Sequence, residues 1–199
     1  VVEAFISAED KNFYQHGGLD IQGILRAAVT NMSSAQSGRR MVGASTITQQ
    51  VAKNFLLSSD QTVERKLKEA ILAIRIERAF TKKQILELYL NEIYLGGGAY
   101  GVAAAAQTYW DKSLNELSVA DCAYLATLPK APSNYNPFRF PERAVARRNW
   151  VIDRMVENGF VTKEDAEKAK AEPLCVQVRQ TGARLAASEF FAEEVRRDI

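Results

Sequence analysis

The chain has 199 residues, of which 47% are hydrophobic and 25% are charged, and its formal net charge is +2. This length and hydrophobic content predict one globular domain with a core of its own, and they exclude a disordered tail or a small disulfide-stapled scaffold. The charge is small and the basic residues are spread evenly, so no nucleic acid is expected as a partner.

Thiol and imidazole groups are scarce in this chain, which holds only Cys122, Cys175 and His16. Cys122 lies in an apolar helical run and is predicted to be a small buried residue, so no disulfide framework is expected. Three such distant groups exclude a zinc site with ordinary ligand spacing. No apolar run reaches the roughly 18 residues that cross a bilayer, and no signal peptide is visible. Because motif residues follow Val1 closely, we interpret the chain as a fragment of a longer protein.

The first predicted helix runs from Ile21 to Met32, where apolar residues recur on one helical face. This stripe consists of Ile21, Ile24, Leu25, Ala28, Val29 and Met32. Packing against the core is the ordinary explanation of such a stripe. The next segment, from Ser33 to Met41, has no periodicity and is predicted to be a mobile loop.

Further helices are predicted from caps and periodicity. Ser45 or Thr46 begins a helix in GASTITQQVAKN, and a helix from Thr62 to Phe80 has one apolar face. That face consists of Val63, Leu67, Ala70, Ile71 and Ile74. The later start and stop signals are, in chain order, Thr81 with Gln84, the stop at Gly96 to Gly98, Ser118 with Asp121, Pro141 with the closing Gly159, and Thr162.

The C-terminal part of the chain holds the one strand candidate, Leu174 to Arg179, and a final predicted helix from Ala186 to Arg197. All other periodic segments are helical. The sequence therefore predicts a mainly α fold.

Two glutamates, Glu9 and Glu69, are the candidate catalytic residues. Making or breaking a glycosidic bond needs a carboxylate that activates a hydroxyl or water, and commonly a second acidic group. The cations near the second glutamate in sequence are Lys53, Arg65, Lys66 and Lys68. Cations stabilise charge that develops on phosphate oxygens, so this pattern favours transfer from a phosphate-activated sugar. A lysozyme-like hydrolase is the alternative.

Four segments carry a family resemblance: EDKNFYQHGG, GASTITQQVAKN, RKLKE and ILELYLNEIYLGGGAYGV. In this order and spacing they resemble the peptidoglycan glycosyltransferase domain (glycosyltransferase family 51) of class A penicillin-binding proteins and monofunctional transglycosylases. The resemblance covers about Val1 to Pro173. It implies a lysozyme-like large lobe with a smaller membrane-facing lobe. Residues 1–175 are expected to form the glycosyltransferase domain, and residues 176–199 to begin a linker towards a transpeptidase domain.

The resemblance also implies roles for individual residues. Glu9 would be the base that deprotonates the acceptor 4-hydroxyl. Glu69 would help to position the donor diphosphate, directly or through a divalent ion such as Mg²⁺ or Mn²⁺. The expected substrate-binding residues are Asp10, His16, Ser45, Gln49, Gln50, Lys53, Asn54, Arg65 and Lys66. His16 is further expected to brace the loop that carries Glu9 and Asp10, whereas a nucleophilic Ser45–His16 pair has no recognisable third group.

The implied reaction is polymerisation of lipid II, with inversion, into β-1,4-linked glycan on a lipid-linked chain, with release of lipid diphosphate. A lipid-linked substrate makes membrane contact a competing explanation of the Ile21 to Met32 stripe. The expected location is the outer, periplasmic face of the bacterial cytoplasmic membrane, and moenomycin-type inhibitors are expected ligands. A catalytically silent module is the second alternative, although both glutamates are present.

The sequence departs from the family at two places. Gln61 stands where many relatives carry an arginine of the donor phosphate site, so Arg65, Arg39 or Arg40 would have to supply that charge. Trp110-Asp111 stands where relatives often have Phe-Gly, which is expected to alter a turn.

Overall fold

The computed structural model describes residues 1–34, 45–56 and 62–177, and helices dominate them. The helices are α1 (Val2–Glu9), α2 (Ile21–Ser34), α3 (Ile47–Leu56), α4 (Val63–Ala79), α5 (Lys82–Glu92), α6 (Val102–Trp110), α7 (Val119–Leu125), α8 (Pro141–Glu157) and α9 (Lys163–Ala171). Short 3₁₀ turns lie at Phe13–Gln15 and Leu114–Glu116. The predicted mainly α fold class is confirmed. Within these ranges, β pairing is limited to one antiparallel bridge between Tyr94 and Tyr100.

Most predicted helix starts are confirmed by their caps. The hydroxyls of Thr62, Thr81, Ser118 and Thr162 each accept a hydrogen bond from the backbone amide three residues later. Pro141 lies in the first turn of α8, and Gly159 follows its end with a φ of 75°. These contacts reach only three residues along the chain, which is why the sequence predicts them well.

Of the two candidate caps of α3, the structure selects Thr46. Its hydroxyl accepts from the Gln49 amide at 3.1 Å, and the Gln49 side chain accepts from the Thr46 amide at 3.0 Å. The same Thr46 hydroxyl donates to the Gly18 carbonyl at 2.7 Å. Helix α3 is therefore joined through its N-cap residue to the loop that follows α1.

Three predictions about secondary-structure elements need correction. Helix α5 ends at Glu92, not at Gly96 to Gly98, because the chain reverses there: the Gly101 amide donates to the Ile93 carbonyl at 2.9 Å. The glycines build that turn with positive φ angles. Residues 174–177 form no strand. Instead, the backbone amide of Gln177 donates to the backbone carbonyl of Tyr109. Helix α2 continues to Ser34. The remainder of the predicted loop and the helix predicted near the C-terminus lie outside the described residues.

The core forms where α1, α7 and α8 pack together, and buried residues of α3, α5 and α6 complete it. Phe5 of α1 is fully buried and its ring meets Tyr89 of α5 edge to face at 6.1 Å between centroids. Cys122 is buried as predicted, and both cysteines are free thiols. Because the middle of α1, from Ala4 to Ser7, is buried, the last residue of the helix, Glu9, is held at the edge of the core.

The apolar stripe of α2 is exposed, so the core-packing explanation is wrong. The exposed fractions are 61% for Ile21, 40% for Ile24, 62% for Leu25, 69% for Val29 and 77% for Met32. In α4, Val63, Leu67 and Ile71 are likewise exposed, because α4 packs on α3 through the face that buries Glu69 and Ala73. Of the helices described, none is long and apolar enough to cross a membrane.

Candidate active site

Glu9 ends α1 at the floor of a cleft and is half-buried. The side-chain amide of Gln50 donates to Glu9 Oε2 at 2.8 Å, and the Tyr89 hydroxyl donates to Gln50 at 3.4 Å. Burial raises the pKa of the Glu9 carboxyl above its usual value, against the lowering effects of the Gln50 hydrogen bond and of the Arg147 and Lys130 charges. This carboxylate therefore holds a proton more strongly than an exposed glutamate.

The carboxylate of Asp10, the next residue, makes contacts that hold the fold together. Its Oδ2 accepts from the Ile47 amide at the start of α3 at 3.0 Å, and His16 Nε2 lies 3.0 Å from each carboxylate oxygen. His16 Nδ1 in turn accepts from the Gly18 amide at 3.2 Å. Gly18 has a φ of 100°, and a Cβ there would lie 2.9 Å from the backbone of α4. The expected bracing of this loop by His16 is confirmed.

The cleft beside Glu9 has a volume of about 740 Å³ and lies between α1, α3, α4 and α8. Eight of the predicted site residues line it: Glu9, Ser45, Gln49, Gln50, Lys53, Arg65, Lys66 and Glu69. Asn54 lines an adjoining cavity of about 410 Å³ that shares Gln50 and Lys53 with the cleft. Asp10 and His16 do not line the cleft, and Asp10 lies instead at a smaller cavity under α2. Gln61, Arg39 and Arg40 lie outside the described residues.

Glu69 differs from Glu9 in its surroundings. It is only 2% exposed, and its Oε1 is paired with the ammonium of Lys66, which also donates to Ser45 Oγ at 3.0 Å. Lys66 thus joins α4 to the start of α3. The Arg65 Nε is buried and has no hydrogen-bond partner among the described residues. Lys68, one of the predicted cations, instead pairs with Glu64 at 2.6 Å on the outer surface of α4.

The sequence prediction missed the opposite wall of the cleft. Lys130, Tyr135, Arg147 and Trp150 line it. The Arg147 guanidinium carbon lies 3.6 Å from the centroid of the Trp150 ring, and its Nε has no hydrogen-bond partner among the described residues. The sequence around Arg147 does not indicate that this residue lines a cleft, because basic residues along an amphipathic helix are usually solvated. Five cationic side chains and two carboxylates therefore line one cleft.

Among the described residues, the cleft holds no cluster of protein side chains that would bind a metal ion without the substrate. Nowhere in the described ranges do three or more His, Cys, Asp or Glu side chains cluster as metal ligands would. Glu69, the predicted ligand, already has Lys66 on one oxygen. The donor set therefore suits direct binding of phosphate by cations.

Together, the helical fold and the cleft describe a domain that can bind a phosphate-bearing ligand beside two carboxylates. A family model described as Transglycosylase matches residues 1–156, so the chain belongs to the transglycosylase family. The family resemblance and the prediction of a glycosyltransferase are confirmed.

Individual relatives agree with this membership. The chain is 53% identical to penicillin-binding protein 1A of Rickettsia felis over 199 residues, which is all of this chain and 25% of that protein. It is 52% identical to penicillin-binding protein 1A of Aquifex aeolicus over 98% of this chain and 26% of that one, and 46% identical to that of Escherichia coli K12 over 100% and 23%. A crystal structure of penicillin-binding protein 1A from Haemophilus influenzae shares 38% identity over 76% of this chain and 20% of that one, with a TM-score of 0.49. The chain spans about a quarter of the length of these curated relatives.

Proposed function

We propose that the chain polymerises lipid II into β-1,4-linked glycan, with inversion at the anomeric carbon and release of lipid diphosphate. The observation that supports this most directly is the combination, in one cleft, of a carboxylate with a raised pKa and an array of cations. The carboxylate suits removal of a hydroxyl proton, and the cations suit a diphosphate leaving group.

In this proposal Glu9 is the general base. Gln50 fixes one carboxylate oxygen, so the carboxylate keeps one orientation towards the cleft. Glu9 takes the proton of the acceptor 4-hydroxyl as that oxygen attacks the donor anomeric carbon. The raised pKa of Glu9 makes it a stronger base than an exposed glutamate.

The leaving diphosphate would be stabilised by Lys53, Arg65 and Lys66. A diphosphate is already acidic, so cationic stabilisation can replace protonation by a general acid. A bare carboxylate would repel it, and in the structure Glu69 faces Lys66. We therefore assign Glu69 the task of holding Lys66 between Ser45 and the donor site. A divalent ion, if one takes part, would be bound mainly by the diphosphate itself.

A nucleophilic serine has no support in this geometry. Ser45 Oγ accepts from Lys66, while His16 is engaged with Asp10. Neither contact activates the hydroxyl as a nucleophile. A single displacement with inversion therefore fits the site better than a covalent intermediate.

The proposed setting is the outer face of the bacterial cytoplasmic membrane. The exposed apolar stripe of α2 would contact lipid there, beside a cavity that Gly23, Arg26, Ala27 and Thr30 of α2 line together with Glu9. The curated relatives are about four times as long as this chain, which leaves room for the transpeptidase domain that the resemblance implies. Moenomycin-type inhibitors would compete for the cationic cleft.

The decisive experiment is incubation of the protein with labelled lipid II, followed by separation of the products by length. Polymer that lysozyme can digest would support the proposal. Shortening of added lipid-free glycan would support the hydrolase alternative instead. No change in either substrate, with the protein folded, would support a non-catalytic module.

A further inference from the structure

A second, shallower groove lies just outside the catalytic cleft. It has a volume of about 550 Å³ and is lined by Asn134, Tyr135, Arg143, Ala146, Arg147 and Trp150. Three of these residues, Tyr135, Arg147 and Trp150, also line the catalytic cleft. The groove is therefore a continuation of the cleft over the outer edge of α8, and a substituent on a sugar in the cleft can enter it.

The groove combines fixed cations with aromatic surface. The guanidinium carbon of Arg147 lies 3.6 Å from the Trp150 ring centroid, and that of Arg143 lies 5.0 Å from the Phe140 centroid. A guanidinium that lies over a ring keeps its N–H edge free to bind a planar anion. The residues that line the groove include no carboxylate to neutralise these charges. Trp150 is 37% exposed and offers apolar area beside them.

We propose that this groove binds the acidic peptide carried by the substrate, with free carboxylates paired to Arg143 and Arg147 and aliphatic groups over Trp150. The inference rests on the proposed function, because lipid II carries such a peptide on its sugar. The diphosphate is already assigned to Lys53, Arg65 and Lys66, which do not line the groove, and neutral glycan lacks the charge. An acidic peptide has both the charge and the aliphatic groups, so it matches the paired chemistry of the groove.

The test compares lipid II whose peptide carboxylates are free with lipid II whose peptide carboxylates are amidated. Dissociation constants are measured in zwitterionic detergent micelles for the intact protein and for Arg143→Gln. The exposed Arg139→Gln, which lines neither cavity, is the matched control. We expect Arg143→Gln to weaken binding of the free-carboxylate form about three- to tenfold and to leave the amidated form unchanged. Arg139→Gln should change neither.

Three outcomes would overturn the proposal. An equal loss for both forms, or no loss for either, would show that Arg143 does not recognise the peptide carboxylates. The same measurement is repeated in vesicles that contain anionic lipid, and a loss seen only there would assign Arg143 to the lipid surface. The polymerisation assay reports on the proposed function separately, since the peptide preference is measured as binding.

Discussion

At the scale of single residues, the two glutamates that look equivalent in the sequence have different surroundings. Glu9 is held by a neutral amide, and burial dominates its pKa. Glu69 is more deeply buried but faces an ammonium group. The same side chain is therefore suited to accept a proton at one position and to hold a cation at the other.

The role of Glu9 predicts the effect of Glu9→Gln. Loss of the base should lower kcat by about 10²- to 10⁴-fold with little change in KM. Because the folded protein raises the pKa of Glu9, ionised Glu9 costs folding free energy at neutral pH, so the melting temperature should stay equal or rise. Polymerisation kinetics and calorimetry check the two effects, with the exposed Glu87→Gln as control. A variant that polymerises at the wild-type rate would remove Glu9 from the proposed role.

The hydrogen bond from Gln50 predicts a change in the pH profile. Activity requires ionised Glu9, so kcat/KM should fall as the pH drops through the raised pKa. The Gln50 hydrogen bond lowers that pKa, and Gln50→Leu should therefore raise it and move the acid limb to higher pH. The profile is measured between about pH 4 and 9, the range over which carboxyl and histidine groups titrate. An acid limb that stays in place or moves to lower pH would contradict this assignment.

Two lysines of α4 offer a matched comparison. Lys66→Ala leaves the buried Glu69 carboxylate without its cation and should lower the free energy of unfolding by about 1–3 kcal/mol. Lys68→Ala breaks only an exposed pair with Glu64 and should have little effect. Urea unfolding of both variants tests this difference. Equal unfolding free energies would show that Glu69 does not depend on Lys66.

At the scale of helices, the features that depend on contacts between residues close in sequence were predicted correctly. The features that depend on contacts between distant segments were not. Caps at Thr81, Ser118 and Thr162 join residues three apart, and the sequence predicted all three. The end of α5 depends on a turn that Tyr109 stabilises from α6 by donating to the Leu95 carbonyl at 2.8 Å. Asp111 is left-handed, with a φ of 56°, a conformation that glycine also adopts readily, and the altered turn expected there stays a prediction.

Arg148 of α8 closes the end of α9 and gives a prediction at this scale. It is 1% exposed and donates to the carbonyls of Glu172 at 2.7 Å and Lys170 at 2.9 Å. Arg148→Leu would leave both carbonyls unpaired, at about 1–3 kcal/mol of unfolding free energy each. Urea unfolding measures the loss, and the exposed Arg139→Leu should change stability by less than about 0.5 kcal/mol. A similar stability of both variants would show that this contact does not hold α9.

At the scale of the whole molecule, the main feature is the exposed apolar surface of α2, which does not pack against the core. Helix α2 turns five large apolar side chains outward, although its periodicity is that of an ordinary core helix. A surface of this kind is stable in water only at a cost, and it is typical of a site that contacts another apolar phase. Its position next to a cavity lined by Glu9 fits a substrate that arrives from a lipid surface.

Flotation with zwitterionic liposomes tests this surface. Ile24→Asp with Leu25→Asp should abolish most binding, because two charges would enter the lipid interface. Asn115→Asp with Ser133→Asp adds the same charge at exposed positions elsewhere and should bind like the wild type. Equal binding of all three proteins would exclude α2 as the contact.

The sequence by itself determined the helical class, most helix starts, the family and the set of residues on the α1, α3 and α4 side of the cleft. Each of these depends on short motifs or on hydrogen bonds within one turn. Only the tertiary structure decided that Lys66 rather than Arg65 pairs with Glu69, that α8 supplies Arg147 and Trp150 to the opposite wall, and that the α2 stripe faces outward. The physical reason is that burial and charge pairing depend on which segments pack together. Glu9 and Arg147 are far apart in the chain, and only the packing of α1 against α8 brings them to one cleft.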